Sequence, residues 1–460
     1  MNCEQFRENL VAYLRDELSP KEKAEMADHI KGAGGCIKCR RELAKTESAL
    51  RIAAAAEEEA VERIVHIYIS EAIKRDASDI HFEARLWGLA VRCRVDGVLV
   101  DLNEAVRGTD DIKDPADRAL LDRMDWDFGH AVVNRLKIMT GVDITESDFP
   151  QMGSISIRWQ NRDYSLSGSF VPAAGGMDAV FRILPRNAPI ALDATGMSTE
   201  VRTGIERMLS QPMGLILIGG PAGSGKTTVV MSLAQSLASP DRKVVTIEDP
   251  LFSKMENVTQ IEVADHRGLT TSALVSRVAR LDPDVVAVHL IGDADVAAKC
   301  ASLALDGRLV ISAFHANDAA ATVWNFAEML GDRNLASSCL VGATNQRLIR
   351  RICADCREEY TPSPQALKSL FLDPSSTEFV HGKGCEKCRN TGYWGRTTIF
   401  EVLELTQDLM DLLAAGPDAA LFQSRAREAT SPTLVEDGRQ KVLDGISTAE
   451  EVCRVIPLPR

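Results

Sequence analysis

No stretch of the 460-residue chain is apolar for long enough to cross a bilayer, and the N-terminus, MNCEQFRENLVAYLRDELSP, lacks a cationic start followed by an apolar core. These absences argue against membrane insertion and against export, so a soluble cytoplasmic protein is expected. Positive charge is also short. The formal net charge is -13, which gives no general attraction for nucleic acid or anionic lipid, and no nucleic-acid partner is expected. The one basic run, NQRLIRRICADCRE with Arg347, Arg350, Arg351 and Arg357, is expected to be a solvated helix face or an intersubunit contact. There is no long-period repeat, and no low-complexity tract beyond an Ala/Glu-rich segment. The length predicts about three domains, and a 45% hydrophobic composition supplies ample core.

Cysteine is present but is not arranged for disulfides. Six of the eleven cysteines fall in three Cys-x-x-Cys pairs, which in a chain without an export signal points to metal. Cys353, Cys356, Cys385 and Cys388 offer four thiolates in two chelating turns, a donor set that suits tetrahedral Zn²⁺ in a structural role because no position stays open. Residues 1–45 form a small Cys/His unit with an early cysteine, Cys3, then His29, Cys36 and Cys39. It resembles the zinc-binding anti-sigma module, whose pattern is an early cysteine, then His-x-x-x-Cys-x-x-Cys. The resemblance implies Cys3, His29, Cys36 and Cys39 as ligands, with a departure in the longer interval of six residues between His29 and Cys36.

Residues 46–60 read as an exposed linker helix. Val61, Ile64, Val65, Tyr68 and Ala72 follow at helical spacing and open a small α/β domain over 61–190. Alternating runs such as LAVRCRVDGVLV and DAVFRIL predict an antiparallel sheet there, interrupted by a surface insertion at TDDIKDPADRALLDRMDWD. After Met213, apolar strands alternate with helices (GLILIGG, KVVTIED, DVVAVHLI, GRLVISAFH), the pattern of a parallel α/β domain over 191–460, within which 351–395 holds the tetracysteine arm. The strand GLILIGG leads into Gly220-Pro221-Ala222-Gly223-Ser224-Gly225-Lys226-Thr227-Thr228 and then a helical pattern. Glycines there let backbone N–H groups converge on phosphates, Lys226 would bridge the outer phosphates, and Thr227 would hold Mg²⁺, so ATP with Mg²⁺ is the expected cofactor.

Over most of its length the chain resembles the type II secretion and type IV pilus assembly ATPases. The matching stretches are ASDIHFEA (Ala77–Ala84), VRCRVDGVL (Val91–Leu99), RLKIMTGVDI (Arg135–Ile144), the phosphate loop, TIEDP (Thr246–Pro250), ARLDPD (Ala279–Asp284), GRLVISAFHANDA (Gly307–Ala319), QRLIRRICADC (Gln346–Cys356) and TGYWGRTTIFEVLEL (Thr391–Leu405). The tail TLVEDGRQKVLDGISTAEEVCRV fits as well, with Ser447 and Glu450 spaced as a helix-capping box. The resemblance implies a RecA-like P-loop domain preceded by a small PAS-like sheet domain, with nucleotide bound between them. It further implies a homo-hexameric motor that works with inner-membrane secretion or pilus platform proteins, peripheral to the membrane through those partners. The N-terminal unit resembles the zinc-binding anti-sigma module and stands where secretion ATPases carry the domain that engages their membrane partner.

One motif departs from the family. Its members run Asp-Pro-Asp, four residues, then Gly-Glu, with the glutamate serving Mg²⁺ or the attacking water. In DPDVVAVHLIGD that count places His289 at the glycine and Leu290 at the glutamate. A slipped register would use Gly292-Asp293 instead, at the cost of an insertion in a buried parallel strand. Met152, Ser154 and Ser165 also fall where the family has an aspartate and two arginines, whereas Glu248, Asp249 and His315 match its aspartate and histidine boxes. Glu248 would polarise water and His315 would sense the γ-phosphate. The expectation is an ATP-binding motor-family protein with impaired hydrolysis. Alternatives are a nucleotide-responsive, zinc-containing scaffold for a signalling or sigma-like partner, or a working ATPase using Glu248 or Asp293.

Overall fold

The computed structural model describes residues 3–14, 18–30, 39, 43, 59–86, 88–107, 118, 121, 126–185, 191–251, 253–264, 268–373 and 378–456. Cys36, nearly all of the expected linker helix 46–60 and most of the expected insertion 109–127 lie outside them. Among the described residues, no helix is long and apolar enough to cross a membrane. The chain divides into two compact units, Met1–Trp159 with Ser165–Leu184, and Gln160–Tyr164 with Pro185–Arg460.

In the first unit the helices Cys3–Glu8, Leu10–Leu14 and Pro20–Ile30 bury Phe6, Leu10 and Met26 with Cys39. Further on, strands β1 (Asp79–Arg85), β2 (Gly88–Val95), β3 (Val98–Asp101), β4 (Gln151–Trp159), β5 (Arg162–Ala173) and β6 (Gly176–Pro185) form one sheet in the order β3-β2-β1-β6-β5-β4. β1 pairs antiparallel with both β2 and β6, so Ile80 and Phe82 lie beside Cys93 and Val91 on one flank and beside Phe181 and Ala179 on the other. The period of two puts these residues on one buried face. Helical residues 59–74 bury Val61, Ile64, Val65, Tyr68 and Ala72, and Phe82 meets Tyr68 and Phe181 edge-on at 6.1 and 6.2 Å. Asp96 (φ 49°) and Gly97 (φ 82°) close the β2–β3 hairpin in the left-handed conformations that a tight hairpin turn demands.

The second unit is built on β7 (Gly214–Gly220), β8 (Val244–Glu248), β9 (Val258–Glu262), β10 (Val285–Val288), β11 (Leu309–His315), β12 (Leu340–Ile352) and β15 (Tyr393–Glu404), ordered β15-β12-β7-β11-β10-β8-β9. Every pairing is parallel except β12 with β15. Leu215, Leu217, Val286 and Val288 face one apolar cluster; Ile216, Ile218, Val285 and Ala287 face another. A sheet buried on both faces explains strands that read as continuous apolar runs. β13 (Arg357–Glu359) and β14 (Val380–Gly382) form a two-stranded ribbon within the tetracysteine segment.

Two expectations are overturned. NQRLIRR is not a helix face but part of β12, held between β7 and β15, with Gln346 fully buried and Arg347 only 6% exposed. Arg347 enters that position because its guanidinium is satisfied internally, donating to Asn345 Oδ1 (2.5 Å), Gln346 O (2.9 Å) and Asn317 O (2.6 Å). The cap of the last helix, Ala449–Val455, is Thr448 rather than Ser447: the Thr448 hydroxyl accepts from Glu451 N, while Ser447 donates to Arg350 O. Glu450 is then free to accept from the Tyr360 hydroxyl at 2.6 Å. A complete capping box instead starts the helix Leu434–Leu443, from Thr433 and Glu436.

Glu451 pins that last helix to β12, accepting from Arg350 N, Nε and Nη2 (2.7–3.0 Å) and from Arg454 (2.7–2.8 Å). Burial works to raise its carboxyl, but the two guanidiniums hold it below the ordinary glutamate value. Its stabilisation is therefore full above the unfolded-state value and fades as pH falls through the folded one. Arg350→Leu is expected to cost about 3 kcal/mol at neutral pH, because it leaves a buried carboxylate short of a partner. The gap between wild type and Glu451→Gln in urea denaturation should close on acidification; a gap that persists at low pH contradicts the assignment.

Candidate functional site

All parallel strands of the second unit end on one edge of the sheet, and the chemistry-bearing side chains lie along it. β7 is buried throughout and turns at Gly220 into the loop that meets the helix Lys226–Leu237. Gly223 and Gly225 have φ of 73° and 85°, and a Cβ on Gly220 would stand 2.4 Å from Ser224 Oγ. Only glycine suits this path. Gly225 is the helix N-cap and has no side chain with which to cap it, so the first-turn N–H groups face outward as a ready anion site. Pro221 and Thr227 are half-buried, Ala222, Gly223 and Thr228 exposed, and Ser224 buried.

Lys226 folds back onto its own loop, its Nζ donating to Gly220 O (2.9 Å) and Pro221 O (2.7 Å) and lying 3.3 Å from His315 Nδ1. Burial, then the charge of Arg347, brings the Lys226 amine down to about 8. His315 pairs with Gly220 across β11 and β7; burial and the charge of Lys226 lower its imidazole. The structure thus brings the loop lysine and the histidine together.

Next along the edge comes β10. His289 N donates to Ile247 O (2.9 Å) and Ile291 N to Ala313 O (3.0 Å), so the chain leaves the sheet flanked on both sides. Leu290 is partly buried and packs against the apolar cluster beneath. Asp293 stands further out as the N-cap of Ala294–Leu305, its Oδ1 accepting from Val296 N at 2.9 Å. Glu248, at the end of β8, is fully buried; its Oε1 accepts from Thr246 Oγ1 (2.6 Å) and Gln260 Nε2 (2.9 Å). Asp249 follows it, exposed. Three strand steps of about 4.8 Å separate β8 from β7, which puts the root of Glu248 roughly 14 Å from that of the loop.

On the other flank of β7, sequence reasoning missed four residues. Asn345 Nδ2 donates to Ala316 O (3.2 Å), Gln346 Nε2 to Ser224 O (2.8 Å) and Arg347 to Asn317 O. Glu401 of β15 accepts from Ala319 N at 2.6 Å, and burial pushes its carboxyl up to about 7. The first three lay in a stretch that reads as basic and polar; the signal that would have placed them was the alternation of β12.

Two thiol clusters complete the inventory. The sulfurs of Cys353, Cys356, Cys385 and Cys388 lie within 4.8 Å of one another, with separations of 3.8 Å for Cys353–Cys385 and Cys356–Cys388 and 3.7 Å for Cys385–Cys388. Tetrahedral zinc with Zn–S bonds of about 2.3 Å requires about 3.8 Å between sulfurs, so the donor set fits. Cys388 Sγ also accepts from the N–H groups of Cys385 (3.2 Å) and Gly392 (3.3 Å), orienting it. At the N-terminus, Cys3, His29 and Cys39 converge within 4.8 Å, Cys3 Sγ lying 3.7 Å from His29 Nε2. The long spacing after His29 does not keep it from the cluster.

Residues 54–454 match the family described as "Type II/IV secretion system protein", and residues 3–32 match one described as "Putative zinc-finger". The chain belongs to the type II/IV secretion system protein family. It is 35% identical over 400 residues to the type IV pilus assembly ATPase PilB of Thermus thermophilus, covering 86% of this chain and 43% of that protein. It is 33% identical over 395 residues to the type II secretion system protein E of Pseudomonas aeruginosa, covering 85% and 75%. The chain therefore spans less than half of the Thermus protein and about three quarters of the Pseudomonas one. Among solved structures, the Legionella pneumophila ATPase DotB shares the fold with a TM-score of 0.58 at 16% identity, covering 84% of this chain and 94% of that one. The pilus retraction motor PilT with bound ADP gives 0.55 at 21%, covering 85% and 96%.

If burial and Arg347 set the Lys226 amine, competitive amine labelling read by mass spectrometry should find its midpoint near 8 in nucleotide-free protein. Arg347→Gln should move it upward. An unchanged midpoint in the variant removes Arg347 as a cause.

Proposed function

We propose that the chain binds Mg-ATP on the Gly220–Thr228 loop and acts as a ring-forming, homo-hexameric member of the secretion and pilus assembly ATPases, with slow hydrolysis. The resting loop supports the first part. Lys226 is charged at neutral pH and holds carbonyls that an incoming phosphate would replace, while the helix N-terminus presents unpaired N–H groups. Thr227 is the residue that would hold Mg²⁺, which supplies charge neutralisation between the outer phosphates. The relatives are named for type IV pilus assembly and type II secretion, which supports work in one of these processes, with platform proteins at a membrane as the proposed partners.

One observation supports the second part: β10 pairs without a register shift with both β8 and β11 over Val285–Val288, and Leu290, two residues beyond, packs its side chain against the apolar cluster. An apolar side chain accepts neither a proton nor a metal bond. Asp293 already caps a helix, and Glu248 is tied to Thr246 and Gln260. Loss of one catalytic acid typically costs about 10²–10⁴ in rate. Wild type is thus expected to bind ATP normally and turn it over very slowly, Lys226→Ala to bind weakly, and Asp293→Ala to change turnover little. Leu290→Glu with His289→Gly should raise turnover. Fast wild-type turnover abolished by Glu248→Gln, or by Asp293→Ala, would assign the acid to that residue instead.

Both thiol clusters support bound Zn²⁺, and the N-terminal one favours a second role for the chain, as a scaffold whose Cys/His module holds a signalling or sigma-like partner. Elemental analysis of chelator-free protein should find two zinc ions per chain, one lost in Cys353→Ser and one in His29→Ala. The sequence offers Cys36 as a fourth N-terminal ligand. A single zinc that survives His29→Ala removes the N-terminal site; none at all removes both.

A further inference from the structure

The ladder between β12 and β7 ends at the pair Asn345 and Gly219. One residue later β7 has turned into the phosphate loop at Gly220 (φ 149°), and the side chain of Gln346 bridges what the backbone no longer does. Its Nε2 donates to Ser224 O at 2.8 Å, with the residue fully buried. It fits between the loop's first and last glycines: a Cβ on Gly220 would lie 3.0 Å from Gln346 O, and one on Gly225 3.4 Å from Gln346 Nε2. A trans peptide unit is planar, with its C=O and N–H pointing in opposite directions. Drawing the Ser224 carbonyl toward β12 therefore turns the Gly225 N–H away from β12, toward the hollow that the loop encloses. The other half of the amide does nothing comparable, for Gln346 Oε1 is buried without a hydrogen-bond partner among the described residues. A buried unpartnered acceptor destabilises a fold. A glutamine kept here for packing or stability alone is thus a poor choice, whereas one kept to aim the loop is not.

We propose that Gln346 is the positioning residue of the phosphate loop, holding the Gly225 N–H in the direction that receives phosphate oxygen. The assignment rests on the nucleotide reading of that loop, and its test separates the two. Gln346→Met keeps the side-chain length while removing both the donor and the orphaned acceptor. In the full chain, calorimetric titration with Mg-ADP and Mg-ATP should show both weakened about five- to tenfold, since one hydrogen bond to the loop is lost. The thermal midpoint without nucleotide should stay or rise. A merely structural glutamine would not produce that split. Unchanged affinity in Gln346→Met, alongside weakened binding in Lys226→Ala, overturns this assignment alone. A lowered nucleotide-free midpoint, or failure of the variant to fold, makes Gln346 structural and likewise overturns it. Absence of ADP and ATP binding by wild type overturns the nucleotide reading and this proposal with it.

Discussion

The second unit depends on the parallel pairing of β7 with a neighbour on each side, β11 and β12. Parallel strands cannot be joined by a tight turn; each needs a crossover, and every crossover returns the chain to the same starting edge. The opposite edge then collects the strand exits. Gln346, Gly220, His315, Leu290 and Glu248 are drawn from segments far apart in sequence, and they form one row because β7, β11, β10 and β8 end on the same side while β12 runs on past them with β15.

That row is also where polar groups go under cover, and Glu248, Arg347 and Glu401 are held by partners the fold supplies. Glu248 is surrounded by Thr246 and Gln260, Arg347 by three oxygens, and Glu401 by the Ala319 N–H at the start of a helix. A lone buried charge would be intolerable, so these hydrogen bonds are conditions of the fold as much as features of the site. They also connect its parts: the two side chains of β12 that reach the loop after His315 flank the one that reaches Ser224, on opposite faces of one strand. A shift of β12 would be felt by both loops.

β12 has a second end. It runs directly into Cys353, and β15, its antiparallel partner, begins just after Cys388. The thiol cluster therefore closes one end of a hairpin-like pair whose middle, at Gln346, borders the phosphate loop, and the last helix adds a further clasp through Glu451 and Arg350. At that junction Cys353 and Cys385, and Cys356 and Cys388, bring their sulfurs to 3.8 Å, so a metal held there would tie the two strands together.

Much of this was legible in the chain itself. Gly220–Thr228, the Cys-x-x-Cys pairs, the apolar strands and the helical spacing of Val61 to Ala72 are local patterns, set by which backbone angles glycine permits, by chelate spacing and by the periods of strand and helix. Local pattern failed where burial is decided by remote neighbours. Arg347 and Arg350 read as solvated because arginine is costly to bury, and only the arrival of Asn317 and Glu451 from other segments offsets that cost. The interval after His29 departs from the module's pattern, yet His29 converges with Cys3 and Cys39 within 4.8 Å. Charge, spacing and periodicity belong to a single segment and can be read there; the environment that decides whether a polar group is covered belongs to the assembled fold.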